Sequence, residues 1–190
     1  MGFVHQHIES LVSTNETLWE LSEKVDLQHF HTISADYQYK GKGKDDNSWE
    51  SQLGKNMLFS TLIFPNFLGA SNAFQISRWV SLSIIDYLKS KGITKLKIKW
   101  PNDIYVDEKK IAGILIQNSI MGSYISKSMF GIGLNLNQYI FESDAPNPIS
   151  LVHLKPANYD VLFETHTLLE VFDFMRFCFV KVFSAVSQIH

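Results

Sequence analysis

The chain has 190 residues, 45% of them hydrophobic, and a formal charge of −2. This length suits one domain with a sizeable core rather than two, and the near-neutral charge excludes a whole-surface attraction to DNA or an anionic membrane. The single cysteine, Cys178, excludes an internal disulfide, and with no signal peptide or uncharged apolar run of spanning length the expected setting is a reducing cytoplasm.

In chain order, 3–8 alternates as a short strand, and Ser13-Thr14-Asn15-Glu16 has capping-box spacing before the periodic Leu18, Leu21 and Val25, which predicts a helix over 14–25. Residues 32–38 read as a strand, 40–48 as a polar loop containing glycine, and 56–64 as a second apolar strand. From 72 to 89 the residues Ile76, Trp79, Val80, Ile84, Tyr87 and Leu88 recur at helical spacing, with Gly92 near the expected end. Strands are expected at 96–99, 104–106, 111–117 and 128–136, with Asp107-Glu108-Lys109 as a tight hairpin turn. After a turn-rich loop at 144–148, a long helix is expected from 159 to about 187. Its Phe163, Phe172, Phe174, Phe177, Phe179 and Phe183 do not share one face, while Glu170, Asp173, Arg176 and Lys181 argue against a membrane span.

Several segments carry residue types suited to chemistry. In Lys40-Gly41-Lys42-Gly43-Lys44 the glycines allow close backbone approach to an anion and the lysines supply charge, although the spacing is not that of a P-loop. The plain alternative is a solvated hairpin tip. Lysine predominates throughout, with Arg78 and Arg176 the only arginines, so a phosphate here meets point charges without a bidentate fork. Trp49 follows the loop and offers either a stacking face for a purine or an ordinary core indole.

The stretch Lys99-Trp100-Pro101-Asn102-Asp103 through Lys110 to Gly113 is more specific. A hairpin brings Lys99, Asn102 and Asp103 beside Lys110, and Pro101 marks an edge or bulge where side chains turn toward a ligand. Asp103 suits a magnesium ion or a proton from an attacking amine, and Lys110 suits a carboxylate being converted to an acyl phosphate. An exposed charged hairpin is the alternative. Ser13, Thr14 and Asn15 serve equally as a helix cap or as receivers of polar ligand groups, with Gln38 a neighbouring amide. His5, His7, His29 and His31 form two His-x-His pairs, which are more simply surface residues than a metal site.

Taken in order, these segments resemble the catalytic domain of the biotin protein ligases, over about residues 8–155. Ser13-Thr14-Asn15 resembles the family's biotin-contacting triplet, and Gln38 its biotin-binding glutamine. Gly41-Lys42-Gly43-Lys44 with Trp49 is similar to the Gly-Arg-Gly-Arg adenylate loop and its adenine-stacking tryptophan. Lys99 to Asp103 matches the family signature, Lys110-Ile111-Ala112-Gly113 its Lys-Leu-Ala-Gly, and Gly131-Ile132-Gly133-Leu134-Asn135 a strand whose asparagine faces adenine.

The resemblance implies an α+β fold, a mixed and largely antiparallel sheet flanked by helices, related to class II aminoacyl-tRNA synthetases. It implies ATP-dependent attachment of biotin to a lysine of a biotin carboxyl carrier domain through biotinyl-5′-AMP, with Mg2+ accompanying ATP. Lys99, Asn102, Asp103 and Lys110 would be catalytic. Biotin would meet Ser13, Thr14, Asn15, Gln38, Gly41, Lys42, Lys110 and Gly113, and the adenylate Lys42, Gly43, Lys44, Trp49, Asn102 and Asn135; a metal would meet Asp103. Family members often dimerise, so a homodimer is a possible assembly. Lipoate or octanoate transfer, and a non-catalytic biotin- or nucleotide-binding module, are the alternatives.

Three departures stand out. Lys42 and Lys44 replace arginines, and Asp45-Asp46 brings two carboxylates near the anion loop. A DNA-binding helix-turn-helix is not expected, nor a repressor role. The small β domain that usually follows the catalytic domain is expected to be absent.

Overall fold

A parallel pair of strands needs a crossover, and here a helix supplies it: β1 (Val4–Leu11) leads into α1 (Thr14–Lys24), after which β2 (His31–Gln38) returns parallel to β1. Every other neighbouring pair is antiparallel. With β3 (Asn56–Ile63), β4 (Leu96–Lys99), β5 (Asp103–Val106), β6 (Lys109–Met121) and β7 (Tyr124–Asn135), a seven-stranded sheet forms in the order β1-β2-β3-β7-β6-β5-β4. This computed structural model describes residues 2–43, 48–142 and 147–186, with side chains through 176. The expected mixed sheet flanked by helices is the observed architecture.

Period-2 alternation sorts the sheet's two faces. Met57, Phe59 and Ile63 of β3, with Phe130, Ile132 and Leu134 of β7, point into the larger core beneath α2 (Phe74–Ser90) and α4 (Val161–Val186). α2 presents Ile76, Trp79, Val80, Ile84, Tyr87 and Leu88 to it, the stripe its sequence predicts, and one 3₁₀ turn at Ala70–Asn72 precedes the helix. From α4 come Leu168, Leu169 and Phe172; Phe172 packs on Phe130 and Trp79 with ring centroids 5.2 Å and 5.6 Å away. Phe163 and Phe174 are exposed, so the phenylalanines are indeed divided among faces. The side chains of Phe177, Phe179 and Phe183 lie outside those described.

The opposite face carries α1, which buries Leu18 over Leu11, Ile33, Ala35, Leu62 and Met129. This face is apolar only near α1. Further along it, Ser60 of β3 is cross-strand from Gly131 of β7, and Gly113 of β6 from Gly133. Small residues at these positions leave a hollow above the sheet.

The structure alters several expected details. β6 and β7 are longer than predicted and meet at a second hairpin through Gly122, because the polar Asn118, Ser119, Ser126 and Lys127 obscure the apolar alternation. A single helical turn, α3 (Leu151–Leu154), is too short to show periodicity. Ser13 precedes α1 but makes no side-chain cap bond, so the capping-box reading does not hold; the reason lies in the site. The two His-x-His pairs also part: His5 and His7 share a network with Ser34, Asp36 and His166, whereas His29 accepts from the Phe64 N–H.

Candidate active site

At the N-terminus of α1, the amide of Gln38 takes over the capping task. The backbone N–H of Thr14 donates to Gln38 Oε1 at 2.7 Å and the Thr14 hydroxyl donates to the same oxygen at 3.1 Å. Because that hydroxyl proton is committed, the Ser60 hydroxyl, 2.9 Å away, donates to Thr14 Oγ1. Ser13, Thr14, Asn15 and Ser60 are all buried. The start of α1, Gln38 at the end of β2 and Ser60 of β3 thus build a polar corner held by side-chain hydrogen bonds.

From this corner a cavity of about 780 Å³ runs along the glycine-paved face toward β5. The Trp49 indole lies on that pavement: a Cβ at Gly133 would come within 2.3 Å of its ring and one at Gly113 within 2.8 Å. Neither position can carry a side chain while the ring stays there. The ring is held in place through its backbone, where the Trp49 backbone N–H donates to the Gly41 carbonyl at 2.8 Å and Lys42 bridges Ser48.

The cavity's far wall is the Lys99 to Gly113 hairpin. Lys99 is paired with Asp103 across β4 and β5, and Asp103 with Gly113 across β5 and β6; a bulge at Ile104/Tyr105 displaces the register so that Lys110 also reaches Asp103. Their ion pair closes to 2.7 Å with both side chains mostly shielded, and Lys110 Nζ sits 5.4 Å from the centre of the Trp49 ring. Lys99 lies over Tyr105, its Nζ donating to the phenol oxygen at 3.4 Å. Lys42 pairs with Glu16 at 3.4 Å near the surface. The peptide before Pro101 is cis, and β4 is an edge strand, as the proline suggests.

Of the residues singled out in the sequence, Ser13, Thr14, Asn15, Gln38, Lys42 and Gly43 line this one cavity on the α1 and loop side. Trp49, Lys99, Asn102, Asp103, Lys110, Gly113 and Asn135 line the remainder. Gly41 is behind the wall rather than on it: a Cβ there would meet the Trp49 carbonyl oxygen at 2.7 Å, so its role is to let the two ends of the loop approach. Lys44, Asp45 and Asp46 lie outside the described residues. Ser60, Tyr105, Glu50, Phe141 and Glu142 also line the cavity and had not been singled out. Ser60 is detectable as a hydroxyl within an apolar strand and Tyr105 as the residue two beyond Asp103. Nothing local marks Glu50, Phe141 or Glu142, which arrive on loops.

Among the described residues, Asn15 Nδ2, Trp49 Nε1, Asp103 Oδ1 and Asn135 Oδ1 are buried polar atoms with no hydrogen-bond partner, and all four residues line the cavity. The Lys110 contact to Asp103 is thus an ion pair without hydrogen-bond alignment. Buried polar atoms in a native protein are rarely left unpaired, and a cluster of them around one hollow marks a place for a polar ligand. Among the described residues no group of three or more His, Cys, Asp or Glu side chains forms a metal site.

This combination, a mixed sheet with an elongated polar cavity on its glycine-rich face and lysines on its far wall, defines an α+β domain whose cavity has the chemistry to suit a long, partly anionic small molecule. The family model for the biotin/lipoate A/B protein ligase family matches residues 7–135. The chain belongs to that family. It is 29% identical over 135 residues to the bifunctional ligase/repressor BirA of Salmonella typhimurium, covering 71% of this chain and 41% of BirA. It is 33% identical over 106 residues to the biotin--[acetyl-CoA-carboxylase] ligase of Paracoccus denitrificans, covering 55% of this chain and 43% of that one. Among solved structures, the biotin protein ligase of Aquifex aeolicus in complex with biotin and ATP superposes with a TM-score of 0.77 at 26% identity, covering 90% of this chain and 69% of that one. The chain thus spans about two fifths of the length of these curated relatives.

Proposed function

We propose that this chain is a biotin protein ligase: it activates biotin with ATP and transfers it to a lysine of a biotin carboxyl carrier domain. The observation that carries the reading is the set of three unpartnered buried polar atoms, Asn15 Nδ2, Trp49 Nε1 and Asn135 Oδ1, and the Asp103–Lys110 ion pair around a single cavity large enough for both substrates. Family membership supports it, as does the similarity to a ligase solved in complex with biotin and ATP.

In the first half-reaction a carboxylate oxygen of biotin attacks the α-phosphorus of ATP, the bond from that phosphorus to pyrophosphate breaks, and biotinyl-5′-AMP forms. In the second, an uncharged lysine amine attacks the acyl carbon, the bond to AMP breaks and an amide forms, with one proton released. The protein's part is positioning and charge neutralisation. The polar corner of Ser13, Thr14, Asn15 and Gln38 receives the ureido ring, whose donors and acceptors such a corner can match. Lys110 sits where two anions, the biotin carboxylate and the α-phosphate, must come together, and its exchange of Asp103 for these groups frees that carboxylate to accept the proton of the incoming amine. Lys42, with Gly43 and Lys44 of the same loop, holds the phosphate side, Asn102 orients it, and Trp49 and Asn135 take the adenine.

Magnesium bound with a triphosphate keeps most of its waters and uses one or two protein carboxylates. Asp103 fits that requirement as a single oxygen ligand, and the ion would supply charge neutralisation on the phosphates. All three classes of partner, biotin, ATP with Mg2+, and the carrier domain, belong to this proposal, as does a cytoplasmic setting; among the described residues no helix is long and apolar enough to cross a membrane.

Calorimetric titration with biotin and with lipoate tests the substrate assignment. Biotin should bind at least about tenfold more tightly, because the buried Asn15 Nδ2, which has no hydrogen-bond partner in the corner, would stay unpaired beside a ring without a ureido function. Tighter binding of lipoate would transfer the chain to the family's other branch.

A further inference from the structure

Gln138 lies three residues beyond the end of β7 and is fully buried. Its side-chain amide uses all of its hydrogen-bonding capacity. Oε1 accepts from Asn56 Nδ2 at 2.6 Å and from the backbone N–H of Gln52 at 3.1 Å, while Nε2 donates to Glu50 Oε1 and to the Ile140 carbonyl, each at 2.9 Å. Two donors on one side and two acceptors on the other fix which way the amide faces. Asn56 is oriented in turn, because its Oδ1 accepts from the Leu136 N–H at 3.1 Å.

The segments so joined have one thing in common. Glu50 and Gln52 immediately follow Trp49, and Ile140 immediately precedes Phe141. Glu50 Oε1 accepts a further bond from the Glu142 N–H at 2.9 Å, which ties the Trp49 segment directly to the Phe141 segment. The Gln138 carbonyl also receives the Ser150 hydroxyl, at the end of the segment that carries Pro148. Trp49, Glu50, Phe141, Glu142 and Pro148 all line the same cavity. None of these bonds reaches the polar corner of Thr14, Gln38 and Ser60, which is held by its own network.

A leucine would fill the volume of Gln138 but could not specify direction. A saturated buried amide fixes the relative placement of the chain segments it joins, since any shift leaves a polar group unpaired in a low-dielectric interior. We infer that Gln138 is a positioning residue for the nucleotide: it sets the wall carrying Trp49 and Phe141, and through that wall the affinity for the base, while biotin binding is independent of it. This rests on the reading of the cavity as a biotin and ATP site.

The test is calorimetric, on the whole chain, with biotin and separately with an α,β-methylene analogue of ATP that cannot release pyrophosphate. Gln138→Leu should weaken the analogue by about tenfold, as expected when a binding wall is misplaced by a fraction of its contact distance, and should leave biotin affinity within about twofold. Since the effect passes through Glu50, the double variant Gln138→Leu/Glu50→Ala should bind the analogue no more weakly than Gln138→Leu alone. Equal loss of both affinities, as a general structural role would produce, overturns the inference, as does an unchanged analogue affinity. If Gln138→Leu shows no cooperative unfolding transition, Glu50→Ala carries the test: the same selective loss supports the inference and unchanged analogue binding overturns it. A wild-type chain that binds neither ligand overturns the cavity reading and this inference together, whereas a wild type that binds both beside a Gln138→Leu variant that loses both overturns this inference alone.

Discussion

At the scale of the residue, the site depends on what is missing as much as on what is present. Trp49 lies against the sheet only because Gly113 and Gly133 carry no Cβ. Gly133→Ala should therefore expel the indole, since a methyl 2.3 Å from the ring can be accommodated only by moving it. The expected result is a red-shifted tryptophan emission that disappears in a Trp49→Phe background, together with nucleotide affinity lower by about tenfold or more. Unchanged emission would show that the ring rests elsewhere. Individual residues were also where the sequence was most informative, because Thr14, Asn102, Asp103, Lys110 and Asn135 sit in short ordered motifs. What it misread was a partner: Ser13 has the composition of a cap, but the proton acceptor for the first turn of α1 is Gln38, 24 residues further on from Thr14. Such a long-range exchange has no local signature. Gln138 was missed for the same reason, since its bonds span 82 to 88 residues back along the chain.

At the scale of the element, the long helix α4 is joined to α2 by a buried polar contact, in which the Tyr87 hydroxyl donates to Glu164 at 2.7 Å and Lys91 completes the pair. Burial first, and the Glu164 hydrogen bond next, push the Tyr87 phenol well above its ordinary range, so it remains a donor at any working pH. α4 also meets β1 through His166, whose Nε2 lies 2.9 Å from His5 Nδ1, while His5 Nε2 contacts Ser34 at 2.7 Å. Burial, then the neighbouring His166 and His7, lower the His5 pKa from 6.5 to about 4. Between these values the unfolded chain binds the proton that the folded chain refuses, so stability is full above pH 6.5 and falls as pH drops toward 4. His5 is partly exposed, and solvent screening limits the loss to about 1 kcal/mol. Urea denaturation should show this decline between pH 6.5 and 4, and His5→Gln should flatten it; an identical decline in the variant would assign it to other groups. Helices with a clear stripe, such as α2, were legible from periodicity, whereas the distal halves of β6 and β7 were not, because their polar residues interrupt the alternation beyond the core.

At the scale of the whole molecule, the helices divide the work. α2 and α4 cover one face of the sheet and supply the main core, and α1 covers only part of the other, leaving the glycine-paved remainder as the cavity floor. Local patterns predicted the strands, and the family resemblance the class of sheet, yet local patterns contain no information on the order β1-β2-β3-β7-β6-β5-β4, which sets Ser60 beside Gly131 and Gly113 beside Gly133 across three strands. The order is what makes separate motifs into one site. That this one site joins biotin to ATP is tested most directly by pyrophosphate release from the purified chain with biotin, ATP and magnesium, with Lys110→Ala as the control. Release should occur in proportion to enzyme without an acceptor, turnover should continue once a biotin carboxyl carrier domain is added, and the variant should lose at least about tenfold. Correctly folded protein that releases no pyrophosphate under either condition, or that releases it at the same rate without Lys110, would contradict a joint biotin and ATP site.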